Sequence, residues 1–279
     1  MAYTAEISRS NPTCFLFLVD QSGSMGRTFA AQPDRTLAQG VADAINRLLR
    51  DLVRACSNGE IIFDRYAIGV IGYGDGISLG FTGNLAGGCL RSVSEIKSHP
   101  FRFEQRRKRE SDGDGGIIEK VSNVPVWFEP LAFGQTVMCQ ALCVAQEVIG
   151  GFVQAHPCCF PPVVINITDG EATDGDPEPF AAALCNLAST DGSTLLLNIH
   201  LTPNGVQPVL LPASARMLAD PYAQRLFRMS SPLPPPLLRQ AQIREEAVTD
   251  GARGFAFNAD LVSVVTFLEI GTRRDPQAR

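Results

Sequence analysis

A run of apolar residues near the start of the chain ends abruptly in a polar stretch that contains glycine. Residues 15–19 are all apolar, and Asp20, Ser22 and Ser24 follow within five positions. A strand that is buried on both faces of a parallel sheet is continuously apolar, and binding groups collect where such strands end. The sequence therefore predicts a strand over residues 13–20 whose loop brings three hard oxygen ligands together. Such ligands suit Mg²⁺, or alternatively Mn²⁺, rather than zinc.

Further apolar strands alternate with amphipathic helices along the chain. Residues 66–73 and 163–167 are apolar runs, and both are predicted as buried strands. The spacing of apolar residues over 34–56 and 137–153 predicts two helices, each with one face packed on a sheet. This alternation favours an α/β fold with a doubly wound, mostly parallel sheet flanked by helices, which can carry an antiparallel edge strand.

The chain is predicted to form one domain over residues 13–272, after a leader at 1–12 and before a tail at 273–279. Residues 77–130 are the least regular part, and we expect an elaborated excursion there that includes a small hairpin. A proline-rich loop is predicted over 203–236. The elements expected after residue 170 are helices over 180–187, 219–228, 237–249 and 261–270, a strand over 193–201, and an edge strand over 254–257.

The composition argues against several classes of partner. The net charge of −5 and the pI near 5.3 give no electrostatic reason to expect nucleic-acid binding. No apolar run approaches the ~20 residues that a membrane span needs. The N-terminus lacks the basic start and apolar core of a signal peptide, and most of the eight cysteines lie in apolar runs. We therefore expect reduced thiols and a cytoplasmic protein that binds neither nucleic acid nor membrane.

The basic run over 102–109 is expected to be an exposed loop or a patch for an acidic partner.

The pattern Asp20-x-Ser22-x-Ser24 resembles the first part of a metal-ion-dependent adhesion site, the hallmark of von Willebrand factor A (vWA) domains. Such a site also uses a threonine from a middle loop and an aspartate after a later strand. Thr136, directly before a predicted helix, and Asp169, after the strand at 163–167, fit these two places. Thr136 could instead cap its helix, or serve as both cap and ligand, and Asp169 could instead form an Asx turn.

The residues around these positions resemble the bacterial TerY-like vWA proteins of tellurite-resistance gene clusters. The resemblance is carried by residues 128–131, 134–136 and 168–174 and covers roughly residues 13–201. It implies that the serines and the threonine coordinate Mg²⁺, while the aspartates bind the ion directly or through water. It also implies that the chain works beside a phosphatase and a protein kinase encoded nearby.

The leading hypothesis is a Mg²⁺-dependent protein-binding module without enzymatic activity, whose metal accepts an Asp or Glu carboxylate from a partner protein. The resemblance implies a scaffold or regulator in phosphorylation-linked stress response, tellurite resistance or phage defence. One alternative is a subunit of an AAA+ ATPase or chelatase-type machine. Another is a Mg²⁺-dependent phosphohydrolase with Asp20 as nucleophile, although Ser22 stands where haloacid-dehalogenase-type phosphatases place a second carboxylate.

Overall fold

The structure is a computed structural model of the 279-residue chain. It describes residues 3–29, 32–111, 117–202, 207–244 and 247–258. The helix predicted over 261–270 and the tail predicted over 273–279 lie outside the described residues.

The described residues form strands, α-helices and short 3₁₀ turns that alternate along the chain. The strands are β1 (Thr13–Asp20), β2 (Thr28–Phe29), β3 (Gln32–Thr36), β4 (Ser57–Asn58), β5 (Ile61–Ile62), β6 (Tyr66–Gly74), β7 (Gly76–Leu79), β8 (Leu90–Ser92), β9 (Arg102–Ser111), β10 (Ile117–Val126), β11 (Val163–Thr168), β12 (Leu195–His200), β13 (Val209–Leu210) and β14 (Phe255–Phe257). The α-helices are α1 (Leu37–Ala55), α2 (Val93–Ser98), α3 (Met138–Ala155), α4 (Glu178–Asn186), α5 (Pro221–Met229) and α6 (Pro235–Arg244). The 3₁₀ turns are Gly23–Gly26, Gly83–Leu85 and Ala215–Met217.

One mixed sheet organises the described part of the chain. Its strand order is β13-β14-β12-β11-β1-β6-β7, and β8 also pairs with β6. The neighbouring strands from β14 to β6 are parallel, whereas β13, β7 and β8 pair antiparallel at the two ends of the sheet. The predicted fold class, a mostly parallel sheet flanked by helices with an antiparallel edge, is therefore confirmed.

Alternate residues of the central strand face two separate apolar layers. Every residue of β1 is buried. Phe15 and Phe17 pack in the layer that contains the apolar face of α1, while Leu16 and Leu18 pack in the layer that contains α3. Because side chains alternate between the two faces of a strand, a strand covered on both sides must be apolar throughout. This burial explains the continuous apolar run that the sequence displays.

Helix α1 begins three residues later than predicted. The expected start was residue 34, but residues 32–36 form β3 and the helix begins at Leu37. Thr36 is the N-cap: its hydroxyl accepts a hydrogen bond from Gln39 N at 3.2 Å, and Gln39 Oε1 accepts one from Thr36 N at 2.9 Å. This capping box satisfies two backbone donors and outweighs the helix-starting tendency of Asp34.

The predicted edge strand over 254–257 is not at the edge. It forms β14, which pairs in parallel with β12 on one side and antiparallel with β13 on the other. The outer strand comes from the proline-rich segment that was predicted as a loop. Pro208 and Pro212 flank it, and because proline cannot donate to a ladder, β13 is only two residues long.

The excursion over 77–130 contains more regular structure than predicted. Strands β7 and β8 extend the main sheet, and α2 follows. Strands β9 and β10, of ten residues each, form a separate antiparallel hairpin. The basic run over 102–109 lies in β9 and is therefore a strand rather than an exposed loop.

Other boundaries differ from the predictions by a few residues. The helix expected over 237–249 begins at Pro235, because proline is accommodated in the first helical turn. Its described helical residues end at Arg244.

The described residues carry no disulfide and no membrane-spanning helix. All eight cysteines are free thiols, and Cys143 and Cys158 are exposed. No helix within the described ranges combines the length and the apolar character that crossing a membrane requires.

Residues 3–5 are held against the loop before β12, where Thr4 N and Ala5 N each donate to the Asp191 carboxylate at 3.0 Å.

Candidate metal centre

The polar ends of β1 and β11 lie side by side at the carboxyl edge of the sheet. Val19 is in register with Ile167, so Asp20 and Thr168 follow at the same level. Among the strands of the main sheet, β6 is the next after β1 in the sequence and lies on one side of it, whereas β11 and β12 lie on the other side. The gap between β1 and β11 is thus a topological switch point, where loops diverge and leave a crevice at the sheet edge.

Asp20 is fully buried and held by two hydrogen bonds. Its Oδ1 accepts one from Ser22 N at 2.8 Å, and its Oδ2 accepts one from the Thr168 hydroxyl at 2.6 Å. Burial and, to a smaller extent, the nearby Asp169 charge raise the pKa of Asp20 to about 6, against the opposing effect of the hydrogen bonds from Thr168 and Ser22. The carboxylate is therefore costly to ionise unless a positive charge accompanies it.

Ser22, Ser24 and Asp169 form a chain of hydrogen bonds across the crevice. Ser22 Oγ lies 2.9 Å from Ser24 Oγ, and Ser24 Oγ donates to Asp169 Oδ1 at 2.6 Å. Burial raises the pKa of Asp169, while the Ser24 hydrogen bond and the charges of Arg27 and His200 act in the opposite direction. The other carboxylate oxygen, Asp169 Oδ2, is buried without a hydrogen-bond partner. Four of the five residues predicted as ligands are therefore connected by direct hydrogen bonds.

Thr136 is buried on a loop that packs directly against the Ser22–Ser24 turn. The carbonyl of Gly134 accepts a hydrogen bond from Gly23 N at 3.1 Å. Gly134 has a φ of +88°, and a Cβ at this position would lie 2.4 Å from Asp75 N. Only glycine allows this conformation and this close approach. The glycine two residues before Thr136 thus lets the middle loop reach the end of β1.

Thr136 is not the cap of the following helix. Helix α3 begins at Met138, its N-cap is Val137, and no Val137 side-chain hydrogen bond caps it. Instead, the Asp174 carboxylate accepts hydrogen bonds from Cys139 N at 3.1 Å and Gln140 N at 3.0 Å. A carboxylate here satisfies free backbone donors and complements the helix dipole. The alternative role considered for Thr136 is thus taken by a residue from another loop.

The loop after β11 also holds Thr136 directly. Thr136 N donates to the Thr173 hydroxyl at 3.1 Å, and Thr173 N donates to the Thr136 carbonyl at 2.9 Å. Together with the Asp174 cap, these bonds fix the distance between the loop carrying Thr136 and the loop carrying Asp169. Two of the three loops at the crevice are therefore braced against each other.

Sequence reasoning missed Thr168 and His200 as neighbours of the site. Thr168 ends β11 and bonds Asp20, and His200 ends β12 and lowers the pKa of Asp169 through its charge. His200 is buried, which lowers its own pKa, and its Nδ1 lies 3.4 Å from Asp220 Oδ2 without forming a hydrogen bond. Both residues occupy the last position of a strand. The rule that found Asp169, applied to every parallel strand, would have found them too.

The oxygen donors at the crevice fit a hard divalent cation. Two carboxylates are joined through two serine hydroxyls, and one buried carboxylate oxygen has no partner, although buried polar atoms normally do. Among the described residues, no group of three or more histidine, cysteine or acidic side chains is placed to bind a metal. Any cation here would therefore depend on hydroxyl ligands, which suit Mg²⁺ or Mn²⁺ better than soft metals.

Comparison with known proteins finds similarity only among solved structures. No protein-family model matches the sequence, and no curated protein matches it. Proximal thread matrix protein 1 from the mussel byssus is 18% identical with a TM-score of 0.44, over 80% of this chain and 42% of that one. A second structure of that protein, described as having a zinc-occupied MIDAS motif, is 15% identical with a TM-score of 0.35, over 70% of this chain and 37% of that one.

A von Willebrand factor type A protein from Catenulispora acidiphila is 16% identical with a TM-score of 0.39, over 69% of this chain and 34% of that one. The chain thus spans less than half the length of the solved proteins that it resembles. At these identities and TM-scores, the similarities do not assign the chain to a family.

Proposed function

We propose that this chain is a metal-dependent protein-binding module of the vWA type, formed by one domain over residues 13–272. Asp20, Ser22, Ser24, Thr136 and Asp169 would hold Mg²⁺, with Mn²⁺ as the alternative. The bound ion supplies an electrophilic position that accepts an Asp or Glu carboxylate from a partner protein. Few charged ligands surround the ion, so it keeps the positive charge that attracts such a carboxylate.

The observation that carries the proposal is the buried, unpartnered Asp169 Oδ2 beside a chain of carboxylates and hydroxyls. A buried carboxylate oxygen without a partner is costly, and a cation at this position would compensate it. The raised pKa of Asp20 and that of Asp169 have the same cause, since both groups are removed from water without enough positive charge.

The surroundings of Asp20 favour binding over phosphoryl transfer. A nucleophilic carboxylate must admit a whole phosphoryl group to one of its oxygens, which needs far more open space than a bare ion does, but Asp20 is fully buried. A non-enzymatic role is therefore proposed in preference to a phosphohydrolase.

Isothermal titration with Mg²⁺, Mn²⁺ and Zn²⁺ tests the metal site. Wild-type protein is expected to bind one Mg²⁺, and the Asp169→Asn variant is expected to lose this binding, because it removes a charged ligand. Asp176→Asn is the matched control, since Asp176 lies exposed on the same loop. Equal Mg²⁺ binding by the wild type and Asp169→Asn would contradict the proposed site.

The finer proposal is a cytoplasmic scaffold or regulator in a bacterial phosphorylation-linked stress or defence system. Its support is the sequence resemblance to TerY-like proteins, and the candidate partners are a kinase, a phosphatase or an ATPase encoded nearby. Affinity purification of wild type beside Asp20→Ala and Thr136→Ala, with Mg²⁺ and with chelator, tests it. If the folded variants retain the partner as well as wild type does, and if chelator does not release it, the metal-dependent mechanism is wrong. Capture of an AAA+ ATPase would favour the alternative that the chain is a subunit of an ATPase or chelatase-type machine.

A further inference from the structure

The loop that leads to Thr136 exposes large apolar side chains. Residues 130–135 are all exposed, including Leu131 at 55% and Phe133 at 69%. We call Leu131, Ala132 and Phe133 the apolar platform. Single exposed apolar residues are ordinary, but neighbouring ones at the rim of a binding site are typical of a contact surface.

The platform is held rigidly on the side of the excursion. Asn46 Oδ1 accepts hydrogen bonds from Trp127 N at 2.7 Å and Phe128 N at 3.1 Å, and Asn46 Nδ2 donates to the Phe128 carbonyl at 2.8 Å. The Trp127 indole also donates to the Ile96 carbonyl at 2.6 Å. The buried, hydrogen-bonded anchor at Phe128 therefore ends three positions before the platform begins at Leu131.

The other end of the platform is bonded to the metal-site turn. Phe133 N donates to the Gln21 carbonyl at 2.6 Å, and the next residue, Gly134, accepts from Gly23 N at 3.1 Å. Gln21 and Gly23 alternate with Ser22 and Ser24. A backbone fixed at both ends loses little freedom when a partner binds, so the burial of its side chains contributes more fully to affinity.

The platform and the candidate metal site share one rim. A Cβ added at Gly26 would lie 3.5 Å from the Ala132 Cβ, so the end of the Ser24 turn touches the platform. The exposed Arg27 follows directly, and its charge acts on Asp169. A partner group that reached the metal site would therefore have the platform on one flank and a cation close by.

The positive charge of Arg27 and that of the proposed ion attract an acidic partner segment to this rim. Glu129 is paired with Arg102, whose Nε lies 2.5 Å from Glu129 Oε1, so it repels an incoming carboxylate less. Asp75, whose backbone packs against Gly134, is exposed and carries the opposing charge. An incoming carboxylate is thus attracted towards Arg27 and the ion and repelled by Asp75, which leaves the platform for an uncharged side chain.

We infer that the apolar platform binds a large apolar side chain that lies close in sequence to the carboxylate that a partner donates to the metal. This inference rests on the proposed function and names the class of partner: an extended acidic segment with a leucine, phenylalanine or similar residue within a few positions of its Asp or Glu. Apolar anchors in the centre of an interface commonly dominate its affinity.

A displayed library of random peptides with one fixed Asp or Glu is the test, selected on the full chain in Mg²⁺ and in chelator. Wild type is expected to enrich peptides with an apolar residue near the fixed acid, in Mg²⁺ only. The Leu131→Ser/Phe133→Ser double variant should bind the enriched peptides about tenfold more weakly and lose the apolar preference, while it keeps Mg²⁺ binding. Ile243→Ser, which removes an 84% exposed apolar residue from α6, is the matched control and should behave as wild type.

The outcomes separate this inference from the function on which it rests. Mg²⁺-dependent enrichment of acidic peptides without an apolar preference, or with a preference that the double variant retains, overturns the platform but leaves the metal module standing. No Mg²⁺-dependent enrichment by wild type overturns both. Because Leu131 and Phe133 are exposed, serine should not unfold the protein, and an unchanged thermal midpoint of the double variant checks this.

Discussion

At the scale of single residues, Asn46 connects the body of the molecule to the excursion. Its buried amide makes four hydrogen bonds, of which three go to the backbone of Trp127 and Phe128 and one goes to the Ala42 carbonyl. The sequence places Asn46 on the buried face of α1 but does not reveal its partners, which lie 81 and 82 positions away. A polar residue inside an apolar helix face was the available signal.

We expect Asn46→Ala to lower the free energy of unfolding by roughly 2–4 kcal/mol, because it leaves several buried backbone groups without partners. Urea denaturation measures the loss. Asn123→Ala, at an exposed position of β10, is the control and should change little. A loss for Asn46→Ala as small as that of the control would mean that water replaces these bonds.

The carboxylates of the candidate metal centre carry a second prediction at this scale. Mg²⁺ at a hundred times its dissociation constant should raise the stability of wild type by about 2.7 kcal/mol. Asp20→Asn should abolish this increase because it removes a buried negative charge, while its amide oxygen can still accept from Ser22 N. Thermal unfolding with and without Mg²⁺ measures both. An equal Mg²⁺-induced shift in the two proteins would exclude Asp20 from the ligand set.

At the scale of elements, α3 is capped by a residue from a different loop. The Asp174 carboxylate accepts hydrogen bonds from Cys139 N and Gln140 N. The adjacent Thr173 accepts a hydrogen bond from Thr136 N through its hydroxyl and donates one from its N–H to the Thr136 carbonyl. The helix start, the Thr136 loop and the Asp169 loop are therefore joined by hydrogen bonds. The sequence offered Thr136 as an alternative cap because threonine is a common N-cap, but the observed pairing depends on how two distant loops approach.

Asp174→Ala should cost about 1 kcal/mol of stability, because a helix cap is lost, and should also weaken Mg²⁺ binding by displacing Thr136. Asp176→Ala is the matched control, since Asp176 accepts from Glu178 N at the start of α4 without bracing Thr136. Denaturation and calorimetric titration separate the two effects. If both variants bind Mg²⁺ equally well, the bracing role of Asp174 is refuted.

At the scale of the whole molecule, a buried polar chain crosses the sheet. Tyr73 Oη donates to Asn166 Oδ1 at 2.7 Å, Asn166 Nδ2 donates to Asn198 Oδ1 at 2.9 Å, and Asn198 Nδ2 donates to Ser230 Oγ at 3.0 Å. These residues lie on β6, β11 and β12 and directly after α5. Burial raises the pKa of Tyr73 well above its usual value, which keeps its hydroxyl a donor. This row of hydrogen-bonded side chains links β6, beside the candidate site, to the helix layer on one face of the sheet.

Tyr73→Phe should lower the free energy of unfolding by about 1–2 kcal/mol, because Asn166 Oδ1 loses its donor inside an apolar layer. Tyr222→Phe, at a 40% exposed position, is the control and is expected to change stability far less. Equal effects of the two substitutions would show that the buried Tyr73 hydroxyl contributes no more to the free energy of unfolding than a surface hydroxyl does.

Local patterns in the sequence determined the main parallel strands and the long helices between them, the buried central strand and the oxygen-rich turn after it. These features depend on the apolar period and on neighbours a few positions apart, and both can be read along the chain. Only the tertiary structure decided that β13 lies outside β14, that Asp174 caps α3, and that one oxygen of Asp169 is buried without a partner. Those features arise when segments far apart in sequence meet at the carboxyl edge of one sheet. Hydrogen bonding and burial at that edge depend on distances that no local pattern specifies.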